Sequence, residues 1–479
     1  MSGHSRSGTL HYLGLTLIVL SFTFFVGTIC SIALGELDLA PSFLMPGLVG
    51  ILVGYIIQRM TTPGDLQLNQ AMTLSAISWA VFPALAMIPM KLITGTTWLK
   101  AYFESMSGLT ATGLTIFDNV EALPKSILLW RSLIEWVGGV GIIVFFLAIM
   151  AVKGPAASRL YVSEGRIERI KPNVTGTVLR IWWIYILYTV VGTILFWLFG
   201  MPLFDAVNHS MTAIATGGFS TKNSSLAYYN SIYIEGAAIL VMLLGATSFG
   251  VHYDMLAKHR NPLRNPEVKA MLAIIAVFVP VIAVSSLSIY RIPEAEAWRF
   301  SLFESVSALS GTGFSSSPLP SVNQLAKWLL TILMIIGGGY GSTSSAIKIF
   351  RLVVVFKYLW WVIRRELSPS FIFPLKFGRR EIQNEEIFEA FRLIFLYLVA
   401  LAVGTGALVW LGFDIGNSLF ECASAQGNVG LSVGIVSPSL SPLGQLVLII
   451  EMWIGRLEIL PALVFVQSLA KSAKGIFFK

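Results

Sequence analysis

Four segments of the chain repeat one pattern of hydroxyl, small and glycine residues: FESMSGLTATGLT from Phe103, NHSMTAIATGGFS from Asn208, FESVSALSGTGFS from Phe303 and FECASAQGNVGLS from Phe420. They align without gaps on Gly113, Gly218, Gly313 and Gly430, about 100 residues apart, a period that marks internal duplication. The chemistry of such a pattern lies in the main chain. Rings of carbonyl oxygens can replace the hydration shell of K⁺, and a glycine permits the backbone angles that turn successive carbonyls inward. The candidate ligands are Thr110, Ala111, Thr112 and Gly113; Ala215, Thr216, Gly217 and Gly218; Ser310, Gly311, Thr312 and Gly313; and Gly427, Asn428, Val429 and Gly430. Any one copy could equally be a small-residue contact between helices. Four aligned copies argue instead for four loops around a single axis, the way a membrane protein builds an ion filter.

Two further stretches bear on passage through such a filter. The run Gly337-Gly338-Gly339-Tyr340-Gly341-Ser342-Thr343-Ser344-Ser345 interrupts an apolar stretch over about 323–360. Glycines and hydroxyl residues should break a helix there, and a break at membrane depth must line water or be buried in protein. Because it follows the third loop, it can lie beneath the filter and obstruct permeation. Gly337, Gly338, Gly339, Gly341, Ser342 and Thr343 are therefore candidate gate residues; a plain kink is the alternative. It is a poor phosphate-binding loop, lacking the Walker spacing and a preceding strand. Arg456 sits mid-span in IIEMWIGRLEILPALVF, where an arginine costs about 2.5–3.5 kcal/mol unless it faces the bundle interior or water. Facing the path below the filter, it would repel resting K⁺ while the Gly/Ser loop accepts its hydrogen bonds; the alternative is a structural salt bridge to Glu451 or Glu458.

Glu104, Glu304 and Glu421 recur one residue into three of the copies, with His209 in the second. They read as carboxylates at pore-helix starts, meeting the positive dipole end and bracing the filter rather than binding the ion. His209, and Asn428-Val429 in the fourth filter, depart from fourfold symmetry. Modest discrimination between K⁺ and Na⁺ is the expectation.

The elements that must position these residues are membrane helices. Hydrophobic residues form 55% of the chain, charged residues 12%, and mean hydropathy is +0.76, which excludes a soluble globular domain. Candidate spans lie at about 11–33, 42–60, 69–92, 125–152, 178–200, 230–257, 270–290, 323–360, 386–412 and 441–470, each near or above the ~20 residues a crossing needs. His4 and Arg6 precede the first without an A-x-A site, so it reads as an uncleaved span. Cys30 and Cys422 show no metal spacing.

Positive charges fall on alternate connections: Arg59; Lys153, Arg159, Arg166, Arg169 and Lys171; Lys258, Arg260, Arg264 and Lys269; Arg364, Arg365, Lys376, Arg379 and Arg380; and Lys471, Lys474 and Lys479. The positive-inside bias makes these connections and both termini cytoplasmic. The glycine loops then enter from outside, within 93–124, 201–229, 293–322 and 413–440. In the first, Leu99 to Leu109 should form a short helix whose C-terminal end points to the midplane, and four such partly negative ends favour a cation. The expected fold is an all-α integral membrane protein with four pseudo-symmetric helix–pore loop–helix repeats around one central pore, at 66–165, 166–262, 263–378 and 379–479, plus an N-terminal helix pair at 1–65.

With these motifs the chain resembles the Trk/Ktr/HKT superfamily of potassium transporters, and its Trk-type pore subunit most closely. LLWRSLIEWVGGVGIIV from Leu128 and GGGYGSTSSAIKIFR from Gly337 look like family signatures. The resemblance implies a bacterial inner-membrane K⁺ uptake subunit, normally a homodimer, controlled by a cytosolic partner with nucleotide-binding RCK domains. It also implies an intramembrane gate at the Gly/Ser loop and at the last-repeat arginine. No dinucleotide fold occurs in the chain, so nucleotide control must come from another polypeptide. The basic segments 153–177 and 361–385 are candidate docking surfaces, although topology and anionic lipid alone account for such clusters.

Two functions stay open. A channel-like uptake subunit would pass K⁺ down its electrochemical gradient. An ion-coupled symporter would need broken helices and membrane carboxylates at a coupling site. No nucleophile–base or metal-ligand set points to an enzyme, and nothing suggests nucleic-acid binding.

Overall fold

A computed structural model describes residues 3–150, 155–164, 170, 173–290, 293–319, 322–368, 375–378 and 380–477. Lys153, Arg166, Arg169, Lys171, Arg379 and Lys479, counted above among the inward charges, lie outside the described residues, as do parts of both candidate docking segments. The chain begins with a helix pair, α1 (Gly3–Ala33) and α2 (Ala40–Arg59). Glycines let the two backbones touch, for a β-carbon on Gly54 would run into the Gly14 carbonyl oxygen.

Four times thereafter the chain runs long helix, short helix, loop, broken helix. The first pass is α3 (Leu68–Thr94), α4 (Trp98–Leu109), α5 (Lys125–Val140) and α6 (Ile142–Met150), followed by the connecting helix α7 (Pro155–Ser163). The second is α8 (Val174–Leu198), α9 (Leu203–Ile214), α10 (Ile232–Gly245) and α11 (Phe249–Lys258). The third is α12 (Pro266–Tyr290), α13 (Glu294–Ser310), α14 (Gln324–Ile336) and α15 (Ile349–Leu367). A two-residue hairpin, Lys376–Phe377 with Arg380–Glu381, leads to the fourth: α16 (Asn384–Trp410), α17 (Ile415–Gly427), α18 (Pro442–Arg456) and α19 (Leu460–Phe477).

Local chemistry sets the short helices. Thr97 caps α4 and Asp414 caps α17, each side chain accepting a first-turn N–H, while Pro202 and Pro293 precede α9 and α13. The long helices turn apolar rows to lipid, as with Leu179, Trp183, Ile186, Val190, Ile194 and Trp197 on α8.

The breaks are more numerous than the sequence suggests. Residues 337–345 were the one break expected, yet the second membrane helix of every pass is interrupted. α5 and α6 are bent by 84°, and α10 and α11 by 99°. Gly141 at the first break has φ 101°, and Glu458 and Ile459 at the fourth have φ 54° and 68°. The first and fourth breaks span one to three residues between apolar helices, so composition carries no trace of them.

Packing closes the four passes into a ring. α5 lies against α9, α10 against α13, α14 against α17, and α18 returns to α4. Gly54→Leu should abolish recovery of monodisperse protein, because its side chain would strike backbone; Gly406→Leu, with open space around it, should leave the elution profile unchanged.

Candidate functional site

Each short helix ends where a filter segment begins, so four helix C-termini converge on one place, their last-turn carbonyls accepting filter N–H groups, as Ser107 accepts that of Thr112 and Ser424 that of Val429. The filter backbones share a conformation despite unlike sequences. The second residue of each is left-handed (Ala111 φ 53°, Thr216 φ 53°, Gly311 φ 75°, Asn428 φ 52°), and so is the last (Gly113 82°, Gly218 82°, Gly313 78°, Gly430 104°). Thr216 is a β-branched residue in a region such residues avoid, so the surroundings must hold it there. Asn428 tolerates that angle, and its amide donates to Thr112 Oγ1 at 2.9 Å and to the Met452 carbonyl at 3.0 Å. The fourth filter thus departs in side chain while keeping the common backbone.

The glycines show how the loops meet. A β-carbon on Gly113 would collide with the Gly217 carbonyl oxygen, one on Gly218 with Thr312, one on Gly313 with Val429, and one on Gly430 with Thr112. Each glycine therefore faces the residue just before the glycine of the next repeat, and the series closes on itself. Outside this ring lies a cavity of about 340 Å³ bordered by all four glycines. Beneath it, the cavity lined by Trp79, Gly141, Glu164, the 341–345 loop and Arg456 measures only about 30 Å³, room for no more than about two waters.

Carboxylates lock the loops from behind. Glu104 accepts from Thr115 Oγ1 at 2.9 Å and the Ile116 N–H at 3.0 Å. Glu304 accepts from Ser315 Oγ at 3.3 Å and the Ser316 N–H at 2.8 Å, and Glu421 from Ser432 Oγ at 2.7 Å and the Val433 N–H at 3.1 Å. The partners sit at the same two offsets each time. In the second repeat His209 Nδ1 donates to the Asp205 carbonyl, leaving Nε2 to accept from Ser220 Oγ at 2.9 Å in the neutral ring. The bracing role stands, but its location needs correction: Glu104 and Glu421 lie mid-helix and Glu304 late in α13, because the helices begin further upstream than the motif does. The helix-start dipole does not explain them.

The expected gate residues lie directly below. Thr343 Oγ1 donates within 3.0 Å of the Ile214 and Gly245 carbonyls and accepts from Thr216 Oγ1 at 3.1 Å. Gly337 and Gly341 take φ 73°, the Gly338 N–H donates to Ser344 Oγ, the Gly339 N–H to the Ala246 carbonyl, and Ser342 Oγ back to Gly339. Arg456 donates to the Thr343 carbonyl at 3.1 Å, Ser345 Oγ at 3.2 Å and the Gly139 carbonyl at 2.8 Å, and also to the Gly138 carbonyl. It therefore joins the loop of the third repeat to the freed C-terminal carbonyls of α5, where a cation is favoured. Glu458, offered above as its salt-bridge partner, receives Lys348 at 2.5 Å and Arg351 at 2.6 Å.

Two buried residues escaped the sequence reading. Arg131 binds Glu104 at 2.8 Å and the Ser220 carbonyl at 3.1 Å, and Glu135 accepts the Phe219 N–H at 3.0 Å. Charges four residues apart within the apolar α5 were the available signal.

Among the described residues, then, four loops ring one axis in a helical membrane protein, with a wide cavity on one side of the ring and a narrow one on the other. The sequence profile of the family TrkH, cation transport protein, matches residues 67–475. The chain belongs to that family. It is 36% identical over 96% of its length to an uncharacterized cation transporter of Methanocaldococcus jannaschii, covering 95% of that protein. It is 29% identical to the Trk system potassium uptake protein TrkH of Salmonella typhimurium, over 84% of this chain and 86% of that one. Its fold superposes on the crystal structure of the potassium transporter TrkH from Vibrio parahaemolyticus with a TM-score of 0.85 and 26% identity, covering 96% and 98% of the two chains.

Glu421→Ala removes an acceptor of three loop bonds in a fully buried position. It should destabilise the protein by about 2 kcal/mol or more, read as a lowered thermal midpoint in detergent, whereas an unchanged midpoint would deny the brace.

Proposed function

We propose that this chain is a K⁺ uptake pore. The observation that carries the reading is the closed ring of glycine-to-carbonyl approaches, with the carbonyls of Thr112, Gly217, Thr312 and Val429 as the central ligand layer. Their flanking residues in the sixteen-residue set would supply further layers. The four helix C-termini favour the cation, and its dehydration cost is met by peptide oxygens held in place by Glu104, Glu304, Glu421 and His209.

The loop at 337–345 and Arg456 act as the gate. Arg456 sets a positive charge at the narrow inner cavity, and its bonds to Thr343 and Ser345 tie that charge to the loop. Transport requires both to move aside. The family resemblance adds a homodimer in a bacterial inner membrane, cytoplasmic termini and an RCK-type cytosolic regulator, all parts of the same proposal. K⁺ is the transported ion, and no organic cofactor takes part.

Ion-coupled symport remains the second reading, and the four broken helices speak for it. Against it, both oxygens of Glu104 and Glu421 and Oε1 of Glu304 bond loop backbone and hydroxyls, and all three side chains are buried. In liposomes, K⁺ gradients alone should drive ⁸⁶Rb⁺ uptake by the purified chain; strict dependence on a proton or Na⁺ gradient would select the symporter. Arg456→Ala should raise that uptake at equal protein amount, and an unaltered rate would remove Arg456 from the gate. Gly313→Ala should nearly abolish it, since its methyl has only the Val429 carbonyl to occupy.

A further inference from the structure

The four filters are not braced alike. In three repeats a pore-helix glutamate takes a backbone N–H just past the filter, from Ile116, Ser316 or Val433. His209 stands at that place in the second repeat and binds a hydroxyl and a carbonyl oxygen. Asp205, nearby, holds the side chains of Thr221, Tyr229 and Lys222. Immediately past this filter, two positions nearer to it than Ile116, Ser316 and Val433 stand to theirs, the Phe219 N–H is taken by a carboxylate that belongs to Glu135 on α5, in the first repeat.

The geometry is that of a support behind the filter. Glu135 is fully buried, and a β-carbon on Gly217 would meet its carboxylate and γ-carbon, so it backs the residue whose carbonyl faces Gly113. Arg131, four residues earlier on α5, continues the contact outward. It joins Glu104 of the first pore helix to the Ser220 carbonyl, with its guanidinium 3.9 Å from the Phe219 ring centre. Further along α5, Gly138 lies on the Leu109 backbone and Gly139 on Ala215. One helix of the first repeat thus sets the separation of filters one and two.

We propose that Glu135 is a specificity-determining positioning residue, which fixes the second filter in trans by holding the Phe219 N–H, with Arg131 as its outer partner. The inference rests on the filter reading above. Acceptor position matters in this account, and charge does not. Glu135→Asp keeps the carboxyl group but withdraws the acceptor by about one carbon–carbon bond, ~1.5 Å. Glu135→Gln keeps the reach and the acceptor oxygen but can carry no charge, at nearly the same volume.

Reversal potentials of the purified, reconstituted chain under K⁺/Na⁺ bi-ionic conditions test this at matched protein amount. Glu135→Asp should raise Na⁺ permeability relative to K⁺ by at least about threefold, less than the full cost of leaving a buried N–H without its acceptor. Glu135→Gln should stay within twofold of the unaltered chain, roughly the resolution of such a comparison. Equal reversal potentials for all three, or a shift in Glu135→Gln with none in Glu135→Asp, would overturn the inference while leaving the filter reading intact. An unaltered chain with no preference for K⁺ over Na⁺ would overturn both.

Discussion

The structure depends on one constraint: backbone that leaves its helix inside a membrane must find partners without water. The four filter segments meet it collectively. Each glycine α-carbon lies where a β-carbon would overlap the carbonyl oxygen of the neighbouring repeat, and the cycle from Gly113 through Gly218, Gly313 and Gly430 returns to Thr112. No loop can be withdrawn without opening the contact of two others. The left-handed angles at the second and last residues of every filter follow from that closure, since a strained residue such as Thr216 persists only in over-determined surroundings.

Asymmetry is introduced around this ring rather than within it. Backbone angles repeat closely, while the supporting chemistry differs from one repeat to the next. Glu104, Glu304 and Glu421 each hold their own loop, and the second loop is held by His209 and by Glu135 of its neighbour. Below the ring, the third repeat alone replaces a short break with the twelve residues between α14 and α15. The fourth supplies Arg456 to that loop, and Glu458 ties back to Lys348 and Arg351. A pseudo-fourfold ring of loops thereby stands on a floor built mainly from the third and fourth repeats.

Much of this was legible in the residues. Four aligned glycines, four short apolar segments and the Gly/Ser run at 337 gave the loops, the helices that carry them and the largest break. The breaks at Gly141, Ala246 to Ser248 and Leu457 to Ile459 were not legible, because a turn of one to three residues between apolar helices leaves hydropathy nearly unchanged. The position of Glu104, Glu304 and Glu421 was misjudged for a related reason: the repeated motif begins inside the helix, and the capping residues Thr97 and Asp414 lie outside the repeat. Arg131 and Glu135 act across a repeat boundary, and a comparison of repeats with one another has no means of pairing them with Phe219.

The central claim is that peptide oxygens from all four loops surround a single dehydrated cation. Anomalous diffraction from crystals soaked in Tl⁺ tests it most directly. The account predicts anomalous density on the common axis, level with the carbonyls of Thr112, Gly217, Thr312 and Val429, and weakened by competing K⁺. Density confined to side-chain carboxylates or to cavities away from that axis would contradict it.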